Sequence, residues 1–311
     1  MAGINSHRAE MEGVMSAQEQ FGVRLGIATG SRWTWPELGG FWRDVEDMGF
    51  DSLWMTDHIM VEGYTTEGGK PVPTAPDVPP PLTPMLEAWT LLGAVAANTQ
   101  RVMIGTLVTP VTFRHPSMLA KQALTVDQMT NGRFILGLGA GYTEREHRAF
   151  GIPYPPAGER VTMTDETLQI LRLLETEEHA NFQGRYYSLE NAPCVPKPVN
   201  GHLPLMIGAT RPRMLRLTAQ YADYYNVAGS YNYVRDRIAD LHEHCAAIGR
   251  DPKEISSSVG IFIAPVDPLS SLERALHVIE RYREAGVDEV IFGASERHRA
   301  VVEELGASLG G

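Results

Sequence analysis

Residues 23–55, VRLGIATGSRWTWPELGGFWRDVEDMGFDSLWM, contain one full cycle of the pattern that decides the fold. Val23 to Thr29 is a short apolar run and predicts a strand. Thr34-Trp35-Pro36-Glu37 then spells a capping box, in which the Thr34 hydroxyl accepts a backbone N–H and Glu37 reaches back to the Thr34 N–H. Behind it Leu38, Phe41, Trp42, Val45 and Met48 recur at helical spacing and give one apolar face. Gly49 stops the helix, and Asp51 to Met55 begins the next apolar run at once.

The same beat continues through the chain. Helices are predicted over Pro84 to Ala97, from His115-Pro116-Ser117 to Asn131-Gly132, and over Gly158 to Glu178, Arg211 to Tyr221, Tyr231 to Ile248, Ser270 to Ala285 and Glu296 to Leu305. Strands are predicted at Arg101 to Leu107, Phe134 to Gly139, Pro204 to Ile207, Ala222 to Val227, Ser257 to Ala264 and Glu289 to Phe292. Runs such as Phe134-Ile135-Leu136 and Val290-Ile291-Phe292 are apolar at every position, as in parallel strands buried on both faces. Eight strand–helix units fit a single (β/α)8 TIM barrel, an α/β fold whose chemistry sits in the loops after the strand C-termini. Two insertions interrupt the rhythm. The loop from Thr56 to Thr83, after strand two, is rich in proline and reads as a lid or as a Pro-rich linker. Asn181 to Gly201, after helix four, reads as a small hairpin. Residues 1–20 are polar, lack the apolar core of a secretory signal and read as a flexible extension, which leaves 21–311 as the barrel domain.

Composition bounds the function. The 311 residues are 43% hydrophobic and 21% charged, ordinary values for a globular chain. With 27 basic and 38 acidic residues the net charge is −11, which argues against nucleic acid or an anionic membrane as partner. No apolar run approaches the ~18 residues of a membrane span. Two cysteines, Cys194 and Cys245, make neither a disulfide framework nor a zinc site and suit a reducing, cytoplasmic setting.

Three places could carry chemistry. Asp57-His58 directly follows strand two, and histidine is suited to proton transfer near neutral pH; a structural histidine satisfied by backbone groups is the alternative. Gly137, Gly139 and Gly141 follow strand four, where glycines permit close approach of a flat ring or a phosphate, or simply tight strand–loop packing. Gly208-Ala209-Thr210-Arg211-Pro212-Arg213 leads into helix five, with Thr210 as a cap and Pro212 in the first turn; it reads as an anion site or as a capped helix with solvated arginines. His242 and His244 lie on different faces of a helix and cannot pair on a metal, and His147 reads as a surface or packing residue. No metalloprotease, P-loop or nucleophile-elbow motif occurs, so no metal is expected and reactivity would come from a cofactor.

Gly49 to His58, Gly105 to Pro110 with Arg114-His115-Pro116, Asn131 to Gly141, Phe150-Gly151-Ile152-Pro153, Glu159-Arg160 and Gly208 to Asp223 follow one another in an order that resembles the luciferase-like monooxygenase superfamily, in its coenzyme F420-dependent (deazaflavin) oxidoreductase branch. The resemblance implies a barrel that binds F420, or FMN, at its C-terminal face, and a homodimer. It places His58, with Asp57 beside it, at the reacting carbon, and Tyr142 where it orients substrate or cofactor. It puts Thr106, Leu107, Val108 and Thr109 under the ring, with a non-proline cis peptide at Thr106–Leu107, and Gly139, Ala140 and Gly141 beside it. Gly208, Ala209, Thr210, Arg211 and Arg213 hold the phosphate. Two departures refine this. Aldehyde-oxidising luciferases carry Cys-Arg where this chain has Gly139-Ala140, and the missing arginine speaks against their use of FMN. Deazaflavin sugar-phosphate dehydrogenases carry Glu at Tyr142 and Trp at Glu62, which speaks against a sugar phosphate. The implied activity is hydride transfer between the deazaflavin C5 and a small organic substrate. The alternatives are an FMN-dependent monooxygenase using reduced flavin and oxygen, and a barrel that binds without catalysing.

Overall fold

The computed structural model describes residues 17–30, 33–61, 64–67, 70–73, 78–262 and 267–309. Eight parallel strands form its centre: β1 Arg24–Thr29, β2 Ser52–Met55, β3 Met103–Thr106, β4 Phe134–Gly139, β5 Leu205–Gly208, β6 Tyr224–Val227, β7 Ser256–Ile261 and β8 Glu289–Gly293. Each pairs with the next, β4 joins β5, and β1 pairs with β8, so the sheet closes into a barrel. The helices alternate with them: α1 Trp35–Asp47, α2 Ala88–Asn98, α3 Pro116–Thr130, α4 Ala157–Thr176, α5 Pro212–Tyr221, α6 Tyr231–Ala247, α7 Leu272–Glu284 and α8 Arg299–Leu309. This is the eight-unit α/β barrel expected from the sequence. The α1 capping box forms as read, with the Thr34 N–H donating to Glu37 Oε2 at 2.7 Å.

Several boundaries move for local reasons. α2 begins at Ala88 rather than Pro84, because the Glu87 carboxylate accepts the Thr90 N–H and acts as the cap. The last helix starts at Arg299, after a 3-10 turn over Glu296–His298. Ala17–Phe21, counted with the extension, is helical, with Ala17 buried; residues 1–16 lie outside the described residues. The expected hairpin after α4 is present, pairing His179–Gln183 with Ser188–Pro193. Its turn is held by the Glu166 carboxylate, which accepts the N–H groups of Arg185, Tyr186 and Tyr187 at 2.7, 2.9 and 3.1 Å. The Pro-rich insertion also contains a hairpin, Tyr64–Glu67 with Lys70–Pro73. Glu62, invoked above, lies outside the described residues. The non-proline cis peptide falls at Leu107–Val108, one bond later than expected. Thr106 stays in β3 register because its hydroxyl donates to Gly137 O at 2.8 Å and accepts from Gly137 N at 2.9 Å.

Outward-facing strand residues and the helices share one large apolar layer. The barrel interior holds a smaller one: Ala28, Trp54, Leu107, Ile135, Met206 and Ile291. Side chains alternate along a strand, so the inward positions above this layer are Gly137, Gly208 and Gly293, with Gly260 on β7. Glycines therefore line the floor of the barrel's mouth.

The opposite end is polar. Glu289 is buried inside the barrel, bonded to the Ser52 hydroxyl and 3.6 Å from Arg24. Nearby, Asp51 accepts the Leu25 N–H at 2.8 Å. Burial pushes the Asp51 carboxyl up to about 6; the Leu25 bond and Arg24 oppose the rise, and Glu289 adds to it. A raised carboxyl pKa means that the folded protein keeps a proton that the unfolded chain releases between pH ~4 and ~6. Stability therefore falls as pH climbs through that window, and the cost is fully present above it. Asp51→Asn, whose amide oxygen can still accept the Leu25 N–H, is expected to be more stable than the parent by about 2 kcal/mol near neutral pH after allowing for solvent screening. The gain should vanish near pH ~4. Denaturant midpoints across that range check it.

Candidate active site

Asp57 follows β2 and meets the loop after β3 and helix α2, and it is only 1% exposed. One oxygen accepts from Arg114 at 2.5 Å, from the Thr109 hydroxyl at 2.8 Å and from the Trp89 indole at 3.1 Å. Arg114 also bonds the other oxygen at 3.3 Å and Glu87 at 2.7 Å. Burial pushes the Asp57 carboxyl above its usual range, and Arg114 and Thr109 pull against it. The group thus ties the β2 loop to the β3 loop and to α2. Trp89, Arg114 and Glu87 had no assigned role in the sequence reading; the motif Arg114-His115-Pro116 was visible, but its partner was not.

His58 stands next to this knot and turns the other way. Its Nδ1 lies 3.0 Å from Glu146 Oε2, and its Nε2 lies 3.3 Å from the Tyr142 hydroxyl. Glu146 comes from a short helix after β4, Glu144–Ala149, and is 1% exposed. The same carboxylate accepts the N–H groups of Ile59 and Met60. With that carboxylate as acceptor, Nδ1 carries the ring proton, and Nε2 presents its lone pair on the Tyr142 side. Glu146 was missed in the sequence because it acts across 88 positions, from a helix too short to show periodicity. Its neighbour His147 is a packing residue: buried, with Nδ1 donating to Thr143 O at 2.8 Å and Nε2 accepting from the Thr112 hydroxyl at 2.6 Å.

Tyr142 is 71% exposed, so its ring stands in the mouth. Its loop is held from below: Arg160 Nε donates to Ala140 O at 3.1 Å, and the Tyr154 hydroxyl donates to Tyr142 O at 3.0 Å. Gly141 takes φ +77°, which favours glycine. The remaining glycines in this region serve packing. A Cβ on Gly137 would lie 1.9 Å from Thr106 O, and one on Gly139 2.8 Å from Val108 Cγ2. On Gly208 it would lie 3.1 Å from the same atom. The Val108 side chain thus sits among these glycines. Thr106, Leu107 and Thr109 are buried, so Val108 is the partly exposed member of the four residues assigned to the ring.

On the β5 side the expected Thr210 cap is replaced. Arg211 is the N-cap of α5 and Pro212 opens the helix. Thr210 is exposed, and Ala209 is buried with its carbonyl accepting from the Tyr225 hydroxyl at 3.0 Å. Arg213 donates to Gly158 O at 3.2 Å and to Thr162 at 3.3 Å, which fastens α5 to α4. Arg211 is exposed and makes no such bond among the described residues. The site therefore combines a low floor of Val108 set among glycines, a histidine held at Nδ1 by a buried carboxylate, and an uncommitted arginine at a helix N-terminus, where backbone N–H groups favour an anion. These features fit a flat cofactor with an anionic tail. Among the described residues no group of three or more His, Cys, Asp or Glu could hold a metal ion, and no helix is long and apolar enough to cross a membrane.

Comparison with known proteins adds the following. The profile of the luciferase-like monooxygenase family matches residues 11–307. An F420-dependent glucose-6-phosphate dehydrogenase of Microbacterium testaceum is 34% identical, over 81% of this chain and 67% of that protein. A Mycobacterium tuberculosis protein described as uncharacterized is 32% identical, over 72% of this chain and 76% of its own. Among solved structures, an F420-dependent secondary alcohol dehydrogenase in complex with an F420-acetone adduct superposes with a TM-score of 0.75 at 20% identity. That likeness covers 91% of this chain and 98% of the other, and it speaks for the fold.

Proposed function

The chain belongs to the luciferase-like monooxygenase family, and on that premise we propose that it moves a hydride between C5 of coenzyme F420 and a small organic substrate, with His58 handling the accompanying proton. It is an oxidoreductase of the F420-dependent kind. Bound in the mouth, the deazaflavin supplies the carbon that gives or takes the hydride. This chain's residues do the rest. The His58 Nε2 lone pair takes a proton from a substrate hydroxyl in oxidation, or returns it in reduction, and Glu146 holds the ring at Nδ1 and balances the charge it gains. The Tyr142 hydroxyl, already 3.3 Å from Nε2, marks where a substrate oxygen would sit and can orient it. Asp57 acts as a positioning residue, because its acceptor sites are taken by Arg114, Thr109 and Trp89. Val108, with Gly139 and Gly208, supports the ring, while Ala140, Gly141 and the Gly208–Thr210 backbone flank it. Arg211 meets the anionic tail.

The observation that carries this reading is the His58–Glu146 pair, whose other ring nitrogen lies on the Tyr142 side. Titration of the protein with F420 and with FMN, followed by fluorescence, tests it. F420 bound more tightly than FMN is the expected result. Preference for FMN would favour the flavin monooxygenase, and binding of neither would overturn the assignment. The same reading carries one barrel domain over 21–311, a homodimer and a cytoplasmic setting; chromatographic mass measurement checks the dimer.

Arg211→Ala is expected to weaken F420 binding by about tenfold or more, the worth of one charge-assisted contact. Arg213→Ala should cost less, because that side chain already serves α4. Equal loss in the two variants, read in the same titration, would place the anion between them.

A further inference from the structure

One aromatic side chain at the mouth takes no part in the arrangement above. Phe262 follows β7 directly and is 41% exposed, unusual for a phenylalanine in an inward position. Its ring lies over two glycines. A Cβ on Gly260 would come within 2.5 Å of Phe262 Cε2, and one on Gly293 of β8 within 2.7 Å of Cδ1. The two missing side chains let the ring fold down across β7 and β8, leaving one apolar face toward the mouth. Trp33 is buried against Phe41 and donates its indole N–H to Ala294 O at 3.1 Å, which fixes the chain just after β8.

Two backbone donors of the same quarter that could meet an anion are already spent. In barrels of this kind a phosphate is frequently held by backbone N–H groups after strands seven and eight. Here the Ala294 N–H donates to Ala28 O at 2.9 Å, and the Ser295 N–H donates to His298 Nδ1 at 3.1 Å. Both donors of the β8 turn are therefore spent inside the protein. The arginine of the β8 turn is committed too, with Arg297 2.9 Å from Asp267. A phosphate placed against the Phe262 ring would lose its hydration without gaining these donors, a cost that an uncharged substrate does not meet.

We propose that the β7–β8 side of the mouth is an apolar substrate subsite, faced by the Phe262 ring seated on Gly260 and Gly293, that takes the hydrocarbon body of a neutral alcohol or ketone and turns away sugar phosphates. This rests on the oxidoreductase reading, since the functional end of such a substrate would point across the mouth to His58. Phe262 is the specificity-determining residue of that subsite. The hydroxyl or carbonyl stays polar at the His58–Tyr142 side, and the carbon skeleton leaves water against the Phe262 ring.

Saturation-transfer NMR tests this with two separate probes, cyclohexanone and glucose 6-phosphate, on the protein with and without F420. Cyclohexanone is expected to bind, and glucose 6-phosphate to give no transfer at the same concentration. Phe262→Leu, which keeps an apolar wall, should hold the cyclohexanone affinity within about threefold, while Phe262→Ser should weaken it about tenfold. Gly260→Ala, which pushes the ring off its floor, should weaken it as well and gives a second route to the same point. Binding of glucose 6-phosphate as tight as that of cyclohexanone overturns the proposal. So does unchanged affinity in Phe262→Ser and Gly260→Ala, or no cyclohexanone signal on the parent protein. Fluorescence titration with F420 on the same samples reads the cofactor assignment separately. Cyclohexanone bound where F420 is not would keep the subsite and sink the proposed reaction.

Discussion

His58→Ala is expected to slow turnover by roughly 10²–10⁴-fold, the range for one positioned acid–base group, while F420 affinity stays within a few-fold. The asymmetry follows from the division of labour in the mouth. In the proposed arrangement Val108 and the glycines around it would support the ring and α5 would meet the anionic tail, while His58 would act on the substrate's proton. Glu146→Gln gives the finer test. Its amide oxygen can still accept the Nδ1–H, but it carries no charge to balance a protonated imidazole. Its kcat should fall less than in His58→Ala, and the acid limb of its pH profile should move to lower pH. Decay of F420 absorbance with a panel of alcohols, compared with the fluorescence titration, separates the two quantities. Near-normal turnover in His58→Ala would remove the histidine from the chemistry.

The second large effect is on stability. Asp57→Ala removes one partner of a buried ion pair and takes an acceptor from three donors: the Arg114 guanidinium, the Thr109 hydroxyl and the Trp89 indole, of which the indole keeps the Thr109 oxygen at 3.1 Å. Breaking such a pair costs about 3–5 kcal/mol. The low end is expected here, because Arg114 keeps Glu87 at 2.7 Å. Asp57→Asn, which can still accept two of these bonds, should lose roughly half as much. Denaturant midpoints measure both. A variant as stable as its parent would show that the knot between the β2 and β3 loops is not structural, and a selective fall in kcat would return Asp57 to the catalytic group.

The barrel was legible because its strands are buried on both faces and read as unbroken apolar runs, and because Gly49 and Asn131-Gly132 punctuate the helices between them. β4 was placed to the residue, and Asn131 indeed takes the left-handed conformation, φ 55°. Competition between a cap and its neighbours was harder to read. Thr210 is a good cap by type, but Pro212 fixes the helix start one residue on, so Arg211 takes the position. The glycines after β4 were legible as a motif and ambiguous in meaning, since a close approach by a ring and one by Val108 leave the same trace in a sequence. The site itself was half visible. Asp57, His58 and Tyr142 lie next to strand ends, where the fold predicts chemistry. Glu146, Arg114 and Phe262 gain their roles from contacts across the barrel, which no local period encodes.

The pairing of β1 with β8 has a consequence for synthesis. Arg24 to Ala28 sit in register with Glu289 to Gly293, and the Gln20 side chain reaches Ser308 O at 2.6 Å. A chain emerging from the ribosome can dock β2 on one edge of its first strand early, but the other edge waits for β8, Glu289–Gly293. Until then that edge, Leu25, Ile27 and Ala28 included, is an open template for another nascent chain. The protein is thus exposed to co-translational misassembly until β8 has been made, and a stop ahead of Glu289 would leave a chain with no means of hiding its first strand.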